Sequence, residues 1–251
     1  MMHTPVCLCL ALLLVGLCAA AADDRIQPYA KNPRYWQFKG KPVVLLGGSD
    51  DDNLFQWTGT RLTKQLDLLA SAGGNYVRCT MSCRDEGDVW PFARRGDKYD
   101  LDRWNNEFWR RFRGFLGQTA TRGIVVQIEL WATFDYYRDC WDRNPFNPKN
   151  NVNYTAKDSG LPTRVPTHPV KCGNPFFFSV PKAKNLEVVL THQRRFVEKL
   201  LSISLEHGHV LYCMDNETSV TPEWGFYWAA LIRQKAKAAG KRVETTEMWD
   251  K

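Results

Sequence analysis

The sequence predicts an α/β protein built as an incomplete (β/α)8 TIM barrel. Three observations carry that expectation. From Pro42 onward, short apolar β-rich runs alternate with runs of helical period, the signature of a parallel sheet with crossover helices. About five such βα units are present before Lys251. No glycine-rich phosphate fingerprint follows the first run, which separates the chain from dinucleotide-binding sheets.

The first expected strand is Val43 to Gly48, and the helix after it places Leu62, Leu66 and Leu69 on one face before Gly73-Gly74 stops it. Asn75 to Met81 is the second strand, followed by a loop to about Tyr99. Helix two is expected from Asp102, with Trp104, Phe108, Phe112 and Phe115 inward and Gly123 closing it. Ile124 to Trp131 is too apolar for a half-exposed hairpin and reads as a strand covered on both faces. Ala132 to Lys184 has no regular period, and a loop of that length is usually functional. A helix from Leu186 to Glu206 leads into the fourth strand, Val210 to Asp215. Pro222 then opens a helix bearing Trp224 and Trp228, and Arg242 to Trp249 is the fifth strand.

Of the 251 residues, 44% are hydrophobic and 24% charged, which excludes a mainly disordered chain. Ten Trp, nine Tyr and thirteen Phe exceed what a core needs, so some rings are expected to line a groove. Residues 1–22 read as a secretory signal peptide with cleavage before Asp23, because the apolar run Val6 to Ala22 ends in small residues and is short for a membrane span. Bulky Leu17 argues against a lipid anchor at Cys18. The expected location is therefore outside the cell or in the periplasm, with residues 23–251 forming part of one catalytic domain. The formal charge of +7 is spread over helices and loops without a nucleic-acid motif, so no nucleic-acid partner is expected. Five cysteines follow the leader. Cys140 and Cys172, flanking much of the long segment, are expected within disulfide reach, and Cys213 is expected to be buried and unpaired. No zinc-ligand spacing occurs, and no metal or cofactor is expected.

Catalytic groups in such barrels stand at the C-terminal ends of strands. These ends carry Ser49 to Asp52, Arg78, Glu129 with Trp131, and Asn216-Glu217. Glycosidic hydrolysis needs one carboxylic acid to protonate the leaving oxygen and a second carboxylate beside the anomeric carbon, and Glu217 is suited to be the first. A purely structural account is also open: Glu217 as a loop acid, Arg78 paired with Asp50 or Glu129, and Trp57, Trp90 and Trp131 as loop packing rather than sugar platforms. Glu247 closes strand five.

Asn216-Glu217 closing the fourth strand, with Arg78 on the second and aromatics after the third, resembles the cellulase-like clan of retaining TIM-barrel glycoside hydrolases. The resemblance implies Glu217 as general acid/base, Asn216 as donor to the sugar 2-hydroxyl, and Arg78 as the charge that keeps the nucleophile ionised. It implies a carbohydrate substrate. Thr218 stands where the family often has Pro, and no His follows strand three. In the family the nucleophile closes strand seven, beyond the units counted here, so this chain is expected to be inactive alone. The alternatives are a non-catalytic carbohydrate-binding barrel and a doubly wound α/β protein, the latter distinguished by non-sequential strand order.

Overall fold

The computed structural model describes residues 24–248, so the expected leader and the cleavage site before Asp23 lie outside the described residues. The first elements are an antiparallel meander: β1 (Gln27–Pro28), β2 (Trp36–Phe38) and β3 (Lys41–Val43). Ile26 beside it is buried against Val125 and Leu211, and its N–H donates to the Gly208 carbonyl at 2.8 Å. The meander thereby covers the end of the sheet where the parallel strands begin.

Next come α1 (Gly59–Ser71), β4 (Tyr76–Thr80), a hairpin of β5 (Phe92–Arg95) and β6 (Lys98–Trp104), α2 (Asn106–Thr121) and β7 (Val125–Trp131). Short helices α3 (Arg138–Arg143) and α4 (Ala156–Ser159) lie in the long segment. The chain continues through α5 (Glu187–Ser204), β8 (Val210–Asp215), α6 (Pro222–Ala238) and β9 (Thr245–Thr246).

Strands β4, β7, β8 and β9 pair in parallel and in sequence order. Sequential order excludes the doubly wound alternative, in which strand order reverses at a switch point. Among the described residues the sheet is open, with no closed barrel. Val77, Cys79, Val126, Ile128, Val210, Tyr212 and Met214 pack with the buried helix positions Leu62, Leu66, Phe108, Phe112, Phe115, Val197, Leu200 and Trp228.

Four expectations change. The first strand is not a buried run: β3 ends at Val43, and residues 44–48 lie along β4 through one bridge, Gly47 to Tyr76. The Asn75 side chain substitutes for a ladder there, accepting from Leu46 N–H at 2.8 Å and donating to the Val44 carbonyl at 3.0 Å. Val44 and Leu46 are exposed because no strand covers that edge among the described residues. Helix two starts at Asn106, not Asp102, since Asn105 accepts from Glu107 N–H, while Asp102 and Trp104 belong to β6. The fifth strand shrinks to Thr245–Thr246.

The fourth change concerns Ala132 to Lys184, which is a packed cover rather than an open loop. Asn144, Asn147, Asn151 and Asn174 are buried, and each donates from its side-chain amide to backbone carbonyls, doing the work a regular ladder does elsewhere. Cys140 and Cys172 are both free thiols, with no bridge between them. Cys172 Sγ lies 3.0 Å from Ser219 Oγ, so its partner is the loop after β8. Cys213 is buried and unpaired, as expected.

Two predictions follow from this packing. A Cβ at Gly47 would fall 1.6 Å from the Tyr76 carbonyl oxygen, so Gly47→Ala should lower stability by about 2 kcal/mol or more in denaturant melts, through backbone displacement where residues 44–48 meet β4. His209 is buried with Nε2 3.0 Å from Thr119 Oγ1, and burial pulls its pKa from 6.5 down to about 4. The native state then binds fewer protons than the unfolded state between those values, so this contribution is whole above pH 6.5 and is lost as pH falls towards 4. Subtracting the pH–stability curve of His209→Gln from that of the wild type should leave a drop on the order of 3 kcal/mol across that window.

Candidate active site at the strand ends

The C-terminal ends of β4, β7 and β8 bring charged groups together because strand pairing fixes their register. Arg78 stands opposite Gln127, Thr80 opposite Glu129, Glu129 opposite Cys213, and Trp131 opposite Asp215. Arg78 and Glu129 form a two-pronged pair, Nε to Oε1 at 2.6 Å and Nη2 to Oε2 at 3.2 Å. Glu129 is fully buried, which pushes its pKa up while Arg78 pulls it down. The hydrogen bonds that Arg78 donates to Glu129 in turn hold Arg78 more firmly protonated. Of the alternatives for Arg78, the partner is therefore Glu129.

Glu217 is exposed and lies two residues past β8 with φ of 47°. That left-handed backbone suits glycine or asparagine and costs a glutamate energy. Hydrogen bonds on either side hold it there: Asn216 N–H donates to the Trp131 carbonyl at 3.2 Å, and Thr218 N–H donates to the Met248 carbonyl at 3.0 Å. Glu217 and Arg78 are near enough for the glutamate charge to act on the guanidinium. Asn216 is buried and its Oδ1 has no hydrogen-bond partner, an unsatisfied amide of the kind a ligand hydroxyl fills.

Beneath this loop lies a feature that the sequence reading missed. Asp215 is fully buried, with Trp224 Nε1 donating to both carboxylate oxygens at 3.1 and 2.9 Å. Burial, and then the nearby Glu247, push its pKa well up. Glu247 accepts from Met248 N–H at 3.2 Å and is itself pushed up to about 7 by burial. Helix α6 accommodates it only because residue 225 is glycine; a Cβ there would fall 2.3 Å from Glu247 Oε2. Asp215 sits inside the apolar run VLYCMD, so its position read as a strand terminus rather than a site.

The expected aromatic platforms fare differently. Trp131 has 0% exposure and is enclosed by Tyr136, Phe146, Phe176, Phe196, Trp224 and Trp228, so it offers no face to a sugar. Trp57 is buried too: its indole donates to Asp51 at 3.0 Å, and Arg61 covers the ring at 3.4 Å. Trp90 is half-buried beside a crevice of about 20 Å³, room for a single water. The larger hollow at this rim, about 330 Å³, is lined by Gly47 to Asp52, Tyr76 and Arg78. Next to it Asp51, Asp52 and Asp85 present carboxylate oxygens within 4.8 Å of one another. Arg84 pairs with Asp52 and approaches Asp135 at 3.6 Å, so cationic compensation is already built in.

The solved structures this fold matches decide its type. A family 5 mannosidase from Rhizomucor miehei superposes with a TM-score of 0.58 at 12% identity, covering 86% of this chain and 55% of its own. The fold is similar to that of family 5 glycoside hydrolases. A Bacteroides vulgatus ATCC 8482 protein described as a candidate glycoside hydrolase gives 0.57 at 13% identity, covering 91% of this chain and 39% of that one. The chain thus spans about two fifths to a little over half of the family 5 and related chains it matches. No family model matches the sequence, and no curated protein matches it.

Two measurements probe this geometry. Arg78→Met leaves Glu129 buried without its cation and should cost about 3 kcal/mol, whereas the double change Arg78→Met with Glu129→Leu should recover a large part of that loss. Glu217→Gly relieves the left-handed backbone and should raise stability by about 1 kcal/mol in the same melts.

Proposed function

We propose that the chain is part of a secreted glycoside hydrolase that cleaves O-glycosidic bonds of a β-linked glycan by a retaining, two-carboxylate mechanism. One observation carries the reading: an exposed glutamate, held in a costly backbone conformation beside a buried, unsatisfied asparagine, stands at the end of β8, the third of four parallel strands paired in sequence order. Glu217 protonates the leaving oxygen as general acid and then, as base, activates water on the glycosyl-enzyme intermediate. Asn216 binds the 2-hydroxyl of the sugar. Arg78 supplies positive charge at the rim, and a carboxylate from strand seven of the complete barrel is the nucleophile. Secretion follows from the leader at residues 1–22. No helix among the described residues is long and apolar enough to cross a membrane.

A second reading, a non-catalytic carbohydrate-binding barrel, is favoured by one specific contact. Both prongs of Arg78 are already taken by Glu129, whereas the catalytic reading needs that cation for a nucleophile. Glycan binding without turnover would support this alternative.

The test is a leaving-group series of aryl glycosides assayed with the protein carrying all eight barrel units. Glu217→Gln should depress turnover by about 100-fold or more for poor leaving groups and far less for acidic phenols, which need no protonation. Equal losses across the series would exclude the acid role. The 251-residue chain alone should give little or no turnover and should scatter light as aggregates, since an open sheet presents strand edges.

A further inference from the structure

The meander at the end of the molecule opposite Glu217 has a charge pattern that neither the fold nor the proposed chemistry uses. From Arg25 to Gly48 the sequence has five basic residues and no acidic one. Arg25 is consumed by the fold, donating to the Leu205 and His207 carbonyls at 3.1 and 2.9 Å. The other four, Lys31, Arg34, Lys39 and Lys41, are exposed, and none of them forms an ion pair among the described residues. The acids facing this region are Asp24 and Glu206. Arg113 adds to the basic side.

Backbone geometry shows how these cations are displayed. Phe38 pairs with Lys41 across a two-residue turn, Lys39-Gly40, with φ of 49° and 74°. Both positive angles mark the hairpin turn whose first position favours Asn, Asp or Gly, so a lysine there costs backbone energy and places a cation at the tip. Hydrogen bonds from Tyr29 N–H to the Tyr35 carbonyl and from Tyr35 N–H to the Asn32 carbonyl close the 29–35 loop, which carries Lys31 and Arg34. Tyr35 is 48% exposed between them, and Lys39 Nζ stands 5.2 Å from the Phe38 ring. Four spaced cations beside an exposed ring suit a chain that carries an anion on successive sugars and an apolar face to stack. Trp36 and Phe38 are half-buried against Ile26, and the exposed Val44 and Leu46 follow the meander along the open edge beside β4 rather than standing among the cations.

We propose that this face is a docking surface for an anionic polysaccharide bearing carboxylate or sulfate groups, separate from the strand-end site. It holds the protein on acidic glycan while leaving the opposite rim free, and it acts without any hydrolysis.

The test uses the protein carrying all eight barrel units with Glu217→Gln, so that binding is read apart from turnover. It measures affinity for polygalacturonate, a sulfated galactan and a neutral glucan across a salt series. Expected are binding to both anionic polymers and none to the glucan, weakening steeply with salt. Replacing Lys31, Arg34, Lys39 and Lys41 together by Gln should reduce affinity about tenfold or more. An equal charge change at Lys64, Arg95, Lys157 and Lys182, exposed on other elements, should alter it by less than about twofold. Circular dichroism melts of both variants establish that each is folded, and Lys39→Asn, which removes one charge while suiting the turn, provides a variant with no folding penalty. Equal loss in the two quadruple variants would overturn the proposal. So would tighter binding to phosphatidylserine vesicles or duplex DNA than to either anionic glycan at the same ionic strength.

Discussion

Burial of Trp131 is the constraint on which the rest of the structure depends. Its indole sits at the end of β7 among rings from the long cover segment, α5 and α6, with Trp228 at 5.1 Å and Phe176, Phe196 and Trp224 within 5.7 Å. Ring contacts of this kind add to the gain from burying large apolar area. They also link elements far apart in sequence: Phe146 and Phe176 could not leave this cluster without opening the cover, nor Trp224 without tilting α6. The Trp131 carbonyl then receives Asn216 N–H, so the backbone of the residue that centres the aromatic cluster also seats the Asn216-Glu217 loop. Packing and site geometry are coupled through one residue.

Charge at the same end of the sheet is managed by pairing rather than by exposure. Glu129 is neutralised by Arg78 from the adjacent strand, Asp135 takes hydrogen bonds from Ser82 and Cys83 N–H, and Asp215 takes the Trp224 indole. Burial pushes Asp135 up to about 6 despite Arg84 nearby. Buried carboxylates of this kind contribute little net stability and much positional definition, since each fixes its donor. Glu217, unlike these three, is an exposed carboxylate.

How much of this was legible in the sequence depended on period and length. Val210 to Asp215 appears as read, and β7 differs from its reading by one residue, because long apolar runs flanked by glycine have one economical solution. The β5–β6 hairpin went unread: Arg94 to Lys98 is polar, and a turn at Gly96-Asp97 inside a charged stretch looks like loop. The cover segment was unreadable for a different reason. Its order comes from asparagine side chains that bond to backbone, a device with no periodicity. At the site, strand-end logic placed Arg78, Asn216 and Glu217 on one rim, whereas the burial of Trp131 and Trp57 was not legible, since composition counts rings without saying which way they face. Asp215, and its closeness to Glu247, were hidden because a buried acid pair shows itself only when the strands are placed side by side.

The left-handed backbone at Glu217 gives sequence drift at that position a direction. Wherever selection on the site is relaxed, substitutions to glycine or asparagine are the ones the local conformation rewards, and an acidic residue should be among the first features to disappear. A glutamate kept at this turn in divergent relatives would therefore record continuing use of its carboxylate, and its replacement by glycine would mark lineages in which the rim has gone silent while the barrel endures.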